Sequence, residues 1–172
     1  IDEEGFINYS RQNDVLIVKD PGGHFLSKIE HPGYPFFTGN RRFILSYDNN
    51  DVSEINLEGN ILWQKTYSAA LSSVSAAGSL VFTGTVDGGI QLIDTSGELV
   101  FSKDIKSSRI NVVYGGSVSI DGEYMVTVTG IDPQLITLWS KNGNSYQVNS
   151  TWSLDSELRR HGITGFSDDG LF

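Results

Sequence analysis

The stretch "FTGTVDGGIQLID", residues 82–94, decides the fold: a threonine-flanked apolar run, a glycine-bearing turn at 86–89, then a second apolar run. Short alternation of apolar and polar side chains marks half-buried strands, and Asp-Gly between two such runs is a tight-turn signal. Widened to "AAGSLVFTGTVDGGIQLIDTSGELVFSK" (76–103), the segment reads as a turn at Gly78, a strand over 80–85, the turn, a strand over 90–94, a turn at Gly97 and a strand over 99–103. Three short strands in meander result.

The same order recurs three times. "TGNRRFILSYDNNDVSEINLEGNILWQK" (38–65) turns at Gly39, at 48–51 and at Gly59, with Ile55 and Leu57 alternating against Glu54, Asn56 and Glu58. "IDGEYMVTVTGIDPQLITLWSKNGNSYQVN" (120–149) turns at Gly122, 130–134 and Gly143, and "EEGFINYSRQNDVLIVKDPGGHFLSK" (3–28) turns at Gly5, around Gln12 and at Gly22-Gly23. Gly5, Gly39, Gly78, Gly122 and Gly170 mark one equivalent turn, at spacings of 34, 39, 44 and 48 residues. Each meander has a further expected strand beside it, over 34–38, 71–76, 112–120 and 163–167. Four antiparallel strands per unit of about 40 residues predict an all-β protein, a β-propeller with about four blades' worth of sheet in this chain.

The repeats expected are 1–32, 33–69, 70–109 and 110–160, with a closing inner strand in 162–172, all within one repeat domain over 1–172. An inner strand nearest the axis has little room, and "LSSVSAA" (71–77) and "GGSVS" (115–119) suit it because their side chains are small. Tyr34, Phe36 and Phe37 read as inner-strand core. Sandwiches and single barrels share the short alternating strands, but the registered glycines favour the propeller. The segment "SLDSELRRHG" (153–162) offers one or two helical turns, capped by Ser153 or Asp155 and stopped by Gly162.

The chain enters at the turn before a second strand, in "DEEGF", and stops after a first strand, in "SDDGLF". Three assemblies suit that phase: a piece of a larger propeller, two chains sharing one ring, or a closed four-blade ring. In the first two, free sheet edges lead to an expectation of self-association through blade edges.

Composition narrows the chemistry. The formal net charge is −9, and the 12 Lys and Arg residues are scattered, which argues against nucleic acid and against an anionic membrane surface as partners. Without cysteine there is no disulfide, thiolate nucleophile or sulfur-ligated metal. No apolar run approaches the roughly 20 residues of a spanning helix, so membrane insertion is not expected, and no signal peptide is visible. His24, His31 and His161 are isolated, so no metal site is expected, and the Asp48, Asn50 and Asp51 cluster reads as a hairpin turn rather than a calcium loop. No G-x-S-x-G nucleophile elbow is present. Asn8 in "NYS" and Asn149 in "NST" fit glycosylation sequons.

"VFTGTVDGGIQLIDTSGELVF" resembles the repeat of the quinoprotein-like (PQQ-type) propellers at Asp87-Gly88, Asp94, Gly97 and Phe101, and Trp63 keeps that family's tryptophan. "SIDGEYMVT" and "GFSDDG" are similar to the S-x-D-G-x-Y phrase of WD40-like repeats. The departures are a missing tryptophan in the first and fourth repeats, a shortened turn between Asp94 and Gly97, and no tryptophan-aspartate dipeptide. The resemblance implies a propeller. Members of the family include quinone-dependent dehydrogenases, outer-membrane assembly lipoproteins and interaction scaffolds, and it is this likeness that implies a bacterial, exported setting, periplasmic or extracellular. The dehydrogenase's vicinal disulfide has no counterpart here, so no cofactor is expected.

Loops converging at one face of a propeller place Arg11, His31, Asp48, Asp51, Asp87, Lys106, Arg109 and Asp132 together. The longest connection, "TWSLDSELRRHG" (151–162), adds Trp152, Arg159, Arg160 and His161; the other reading of it is a solvated loop with Trp152 tucked into the outer strand. Exposed Trp and Arg dominate binding energetics, so Trp152, Arg159, Arg160, His161 and Asp132 are the candidate binding residues; no catalytic residue is assigned. The function expected is a non-catalytic scaffold for a protein or ligand, with a propeller-type hydrolase or lyase as the alternative.

Overall fold

A computed structural model describes residues 5–8, 15–31, 33–106, 109–154 and 162–167, apart from the side chains of residues 6 and 8. The described residues form antiparallel sheets taken in chain order. The first sheet has three strands, β1 (Phe6–Asn8), β2 (Leu16–Lys19) and β3 (Phe25–Ile29). The second comprises β4 (Tyr34–Thr38), β5 (Arg41–Leu45), β6 (Asp51–Ile55) and β7 (Ile61–Thr66). The third holds β8 (Leu71–Ala77), β9 (Leu80–Thr85), β10 (Gly89–Ile93) and β11 (Leu99–Asp104). The fourth consists of β12 (Ile110–Val118), β13 (Tyr124–Ile131), β14 (Gln134–Asn142) and β15 (Ser145–Leu154). The chain forms two compact units, divided after Ser68, each holding two of these sheets.

Why the strands stop where they do is clearest at Gly78. Its φ is +53°, and a Cβ there would overlap the Ile120 carbonyl oxygen, so only glycine turns the chain between β8 and β9. The turns between second and third strands of the second and third sheets use a hydroxyl two residues before an aspartate: Thr85 donates to Asp87 at 2.5 Å and Ser46 to Asp48 at 2.6 Å. Ser119 does the same for Asp121, at 2.6 Å, between β12 and β13.

Packing within the second unit follows from the ladder. Directly paired residues share a sheet face and successive residues alternate. One face of the third sheet therefore carries Phe82, Leu92 and Phe101 in one row and Gly84, Ile90 and Lys103 in the next. The fourth sheet lays Gly116, Thr127 and Thr137, with Met125 and Trp139, on the face that covers it. Phe82, Ile90, Leu92, Val113, Met125, Trp139 and Tyr146 form one buried cluster. Two close approaches set the spacing, because a Cβ on Gly84 would collide with Val113 and one on Gly116 with the Phe82 ring. Small residues in the inner strand have a second use: Ser72 donates to the Val113 carbonyl at 2.6 Å and Ser75 to the Gly116 carbonyl at 2.7 Å, tying β8 to β12.

The first unit has its own core of Leu16, Val18, Ile29, Ile44 and Ile55, with Ser27 donating to the Leu57 carbonyl at 3.1 Å. In its second sheet the Glu54 carboxylate accepts from Arg41 Nε at 2.7 Å, Arg41 Nη2 at 2.5 Å and Trp63 Nε1 at 2.6 Å.

Three expectations change. Tyr34, Phe36 and Phe37 are half-buried rather than core, since β4 is an edge strand: Tyr34 meets Tyr47 edge-on at 5.1 Å, Phe36 stacks on Phe43 at 5.4 Å, and Phe37 lies 6.0 Å from the Arg42 guanidinium. The strand expected over 112–120 runs Ile110–Val118, because the Ser119–Asp121 turn ends it. Residues 162–167 form no strand; Gly162 sits against Gly115 and Val128, on the face of the fourth sheet, and the Ile163 side chain is in solvent. Of the helical turns expected over 153–162, Ser153 and Leu154 belong to β15, and 155–161 lie outside the described residues.

The turn carboxylates make acid sensitivity predictable. Asp48, Asp94 and Asp121 are each held below the ordinary carboxylate range, chiefly by the hydroxyl of Ser46, Ser96 and Ser119 respectively and next by a backbone amide. A carboxyl whose pKa is lower folded than unfolded stabilises the fold above its unfolded value and loses that contribution as pH falls through its folded value. The urea midpoint is expected to be flat from neutral pH to about 4 and to fall below it. Asp94→Asn should lower the neutral-pH midpoint and flatten the acid limb.

Candidate functional site

The turns between second and third strands carry Asp48 in the second sheet, Asp87 in the third and Asp132 in the fourth. Asp132 is exposed, with φ +60° and a cis bond to Pro133. Immediately after it, Gln134 pairs with Leu154, and Ile136 pairs with Trp152. The ladder thus brings Asp132, Leu154 and Trp152 to one end of the fourth sheet, where the Trp152 side chain is 51% exposed.

Of the two readings of Trp152, the outer strand is the one observed: the residue lies in β15, which continues to Leu154 because β14 pairs with it along its full length. The connection therefore starts after Leu154, and Arg159, Arg160 and His161 lie outside the described residues, as does Arg11.

The turn of Asp87 is tied to the next connection: the Gly88 carbonyl accepts from the Ile105 amide at 2.9 Å, and Gly88 lies against Asn111. This sets Asp87 at the same end as the exposed Lys106 and Arg109. In the first unit, Asp48 accepts from Ser46 and Asn50, Asp51 from the Thr66 hydroxyl, and His31 Nε2 lies 3.5 Å from Ser53 Oγ. His24 pairs with Asp20 at 2.9 Å. Among the described residues no group of three His, Asp or Glu side chains is placed to hold a metal ion. Among the described residues no helix is long and apolar enough to cross a membrane.

Two surface features escape the sequence reading. Tyr34 and Tyr47 pair beside the Asp48 turn, with Tyr47 38% exposed. The first residues of outer strands are apolar yet exposed: Phe25 and Leu26 in β3, Ile61 and Leu62 in β7, Leu99 and Val100 in β11. Their signal in the sequence is an apolar pair shortly after a glycine turn.

A family described as beta-propeller protein matches residues 2–172. An uncharacterised protein of Treponema pallidum (strain Nichols) is 26% identical over 155 residues, 90% of this chain and 41% of that one. The C-terminal WD40 domain of Sif2 superposes with a TM-score of 0.71 at 15% identity, over 98% of this chain and 50% of that chain. A chain of the mitotic checkpoint complex gives 0.71 at 16% identity, over 99% of this chain and 56% of its own. BamB from Moraxella catarrhalis gives 0.61 at 14%, over 90% and 51%. At such identities the likeness to solved structures is one of fold. The chain spans under half of that Treponema relative and about half of each solved chain. A match across nearly the whole sequence agrees with sheets that follow one another in chain order, each a meander punctuated by the same glycine turns, and on that basis the chain belongs to the β-propeller proteins.

Proposed function

We propose that the chain is a non-catalytic propeller scaffold for a protein partner, bound at the end of the fourth sheet through Trp152, Asp132 and the connection carrying Arg159, Arg160 and His161. The observation that supports this is Trp152 itself: an indole half in solvent yet fixed on a regular strand, with exposed Leu154 beside it. A rigid exposed aromatic loses little freedom on binding, which is why Trp anchors interfaces. Solved propellers of the same fold include a chain of a multiprotein complex, the mitotic checkpoint complex. The reading treats residues 1–172 as one repeat domain, with 162–172 available as a closing inner strand, and it places the protein in an exported compartment on the family likeness. Cell fractionation checks the location.

The test is capture from extract of the source cells by the purified chain, with cross-linking mass spectrometry to locate the contact. Trp152→Ala is expected to weaken the captured complex by at least about tenfold, with cross-links falling on 132–161. Capture indifferent to Trp152→Ala and to Asp132→Ala, or cross-links confined to other sheets, would remove this site.

A further inference from the structure

One face of the fourth sheet is open around Ile136 where its counterpart in the third, Ile90, is closed, while Leu138 and Val128 on the same face are buried. On the third sheet Ile90 is paired between Gly84 and Lys103, and Leu92 between Phe82 and Phe101, and Phe82, Ile90 and Leu92 are fully buried under the fourth sheet. On the fourth sheet the same places are held by Ile136 between Val128 and Trp152, and by Leu138 between Val126 and Ser150. That face is met by Gly162 at Gly115 and Val128. Further out, Ile136 is half-buried, and Trp152 and Leu154 are 51% and 38% exposed.

The complementary kind of face is also open on one sheet. In each of the four ladders a bulge interrupts the pairing of third and outer strands, at Val18/Lys19, Glu54/Ile55, Leu92/Ile93 and Leu138/Trp139. The residue after the bulge is Trp139 in the fourth sheet, on the face that covers the third. Its counterparts Ile55 and Ile93 are buried, at 2% and 0% exposure. The first sheet has Lys19 there, paired with Phe25, and the next row on that face is Ile17 with Lys28. Phe25 and Ile17 are 65% and 38% exposed.

The residues at these positions are exchanged. Where the third and fourth sheets meet, Lys103 Nζ lies 5.2 Å from the centroid of the Trp139 ring, a cation held over an aromatic face. On the two open faces the place of Lys103 is taken by Trp152 and the place of Trp139 by Lys19. We propose that these faces mate between two copies of the chain, the fourth sheet of one covering the first sheet of the other, with Trp152 against Lys19 and Leu154 and Ile136 against Phe25 and Ile17. A second copy is the occupant favoured by the exchanged pair, because each open face carries the member of the Lys103–Trp139 contact that the other lacks. The contact is head-to-tail, and such contacts give closed rings when the rotation permits. The proposal rests on the reading of Trp152 as a partner-binding residue and names that partner.

Sedimentation velocity of the purified chain over a wide concentration range tests it. A dimer is expected, weakened at least about tenfold by Trp152→Lys, which sets lysine against lysine. The double variant Trp152→Lys/Lys19→Trp, which reproduces the orientation of the Lys103–Trp139 pair, is expected to regain most of the affinity. Circular dichroism melts confirm that the variants fold; position 152 is half in solvent and tolerates the change. A chain monomeric at every concentration overturns the proposal, as does a dimer indifferent to Trp152→Lys or a folded double variant with no recovery. Monomeric chain that still captures another protein through Trp152 would remove self-pairing and leave the scaffold reading standing; a Trp152-dependent dimer that captures nothing else would do the reverse.

Discussion

Gly116→Val is expected to destabilise the chain by about 3 kcal/mol, the upper end of the usual range for overpacking, or more. The position admits no side chain, because even the Cβ would lie inside the Phe82 ring. Phe82 has no room to retreat: it is fully buried between Leu92, Met125 and the inner strand. Chemical denaturation followed by far-UV circular dichroism measures the loss. The double variant Gly116→Ala/Phe82→Leu should recover part of the cost of Gly116→Ala alone, since the two residues are in contact and do not act additively. Gly165→Ala is the control: nothing lies within 4 Å of its Cβ position, and a change within about 0.5 kcal/mol is expected.

The second large effect is at Glu54. This carboxylate and Arg41 keep only 9% and 12% of their side chains exposed, and the guanidinium also lies 5.5 Å from the centroid of the Phe43 ring. Arg41 Nη1 is already buried without a hydrogen-bond partner. Glu54→Ala would leave the whole cation, and the Trp63 indole N–H as well, without an acceptor. Breaking a buried pair from one side costs about 3–5 kcal/mol, whereas replacing both members with apolar residues of similar volume is often neutral. The expected order of stability is therefore wild type, then Arg41→Met/Glu54→Leu, lower by about 1–3 kcal/mol for the Trp63 N–H left without its acceptor, then Glu54→Ala well below both. A Glu54→Ala variant within about 1 kcal/mol of wild type would mean that the pair is solvated.

The architecture was readable wherever a local rule decides it. Gly39, Gly78 and Gly122 fall at the turns between first and second strands, and the strand expected over 80–85 is β9 to the residue. What could not be read are pairings between residues far apart in the chain. Arg41 and Glu54 are 13 residues apart, and neither type signals burial by itself. Phe101 meets Trp139 at 6.5 Å and Tyr146 at 5.3 Å across two sheets, a contact with no local signature. The sequence leaves Trp152 between the outer strand and the connection after it, because strand length is set by what β14 offers for pairing, and β14 extends to Gln134. The candidate site is legible to the same degree. Asp132 and Trp152 share one end of a sheet because ladder register puts them there, information that residue type does not carry.

The central physical claim is that, within the second unit, the inner strand β12 of the fourth sheet lies over the glycine-bearing second strand β9 of the third. Nuclear Overhauser contacts in the isotope-labelled chain test it most directly. The account predicts strong cross-peaks from the Gly116 Hα protons to the Phe82 ring and from the Gly84 Hα protons to the Val113 methyls. A spectrum in which the Phe82 ring contacts only its own sheet, with Gly116 far from any aromatic proton, would contradict it.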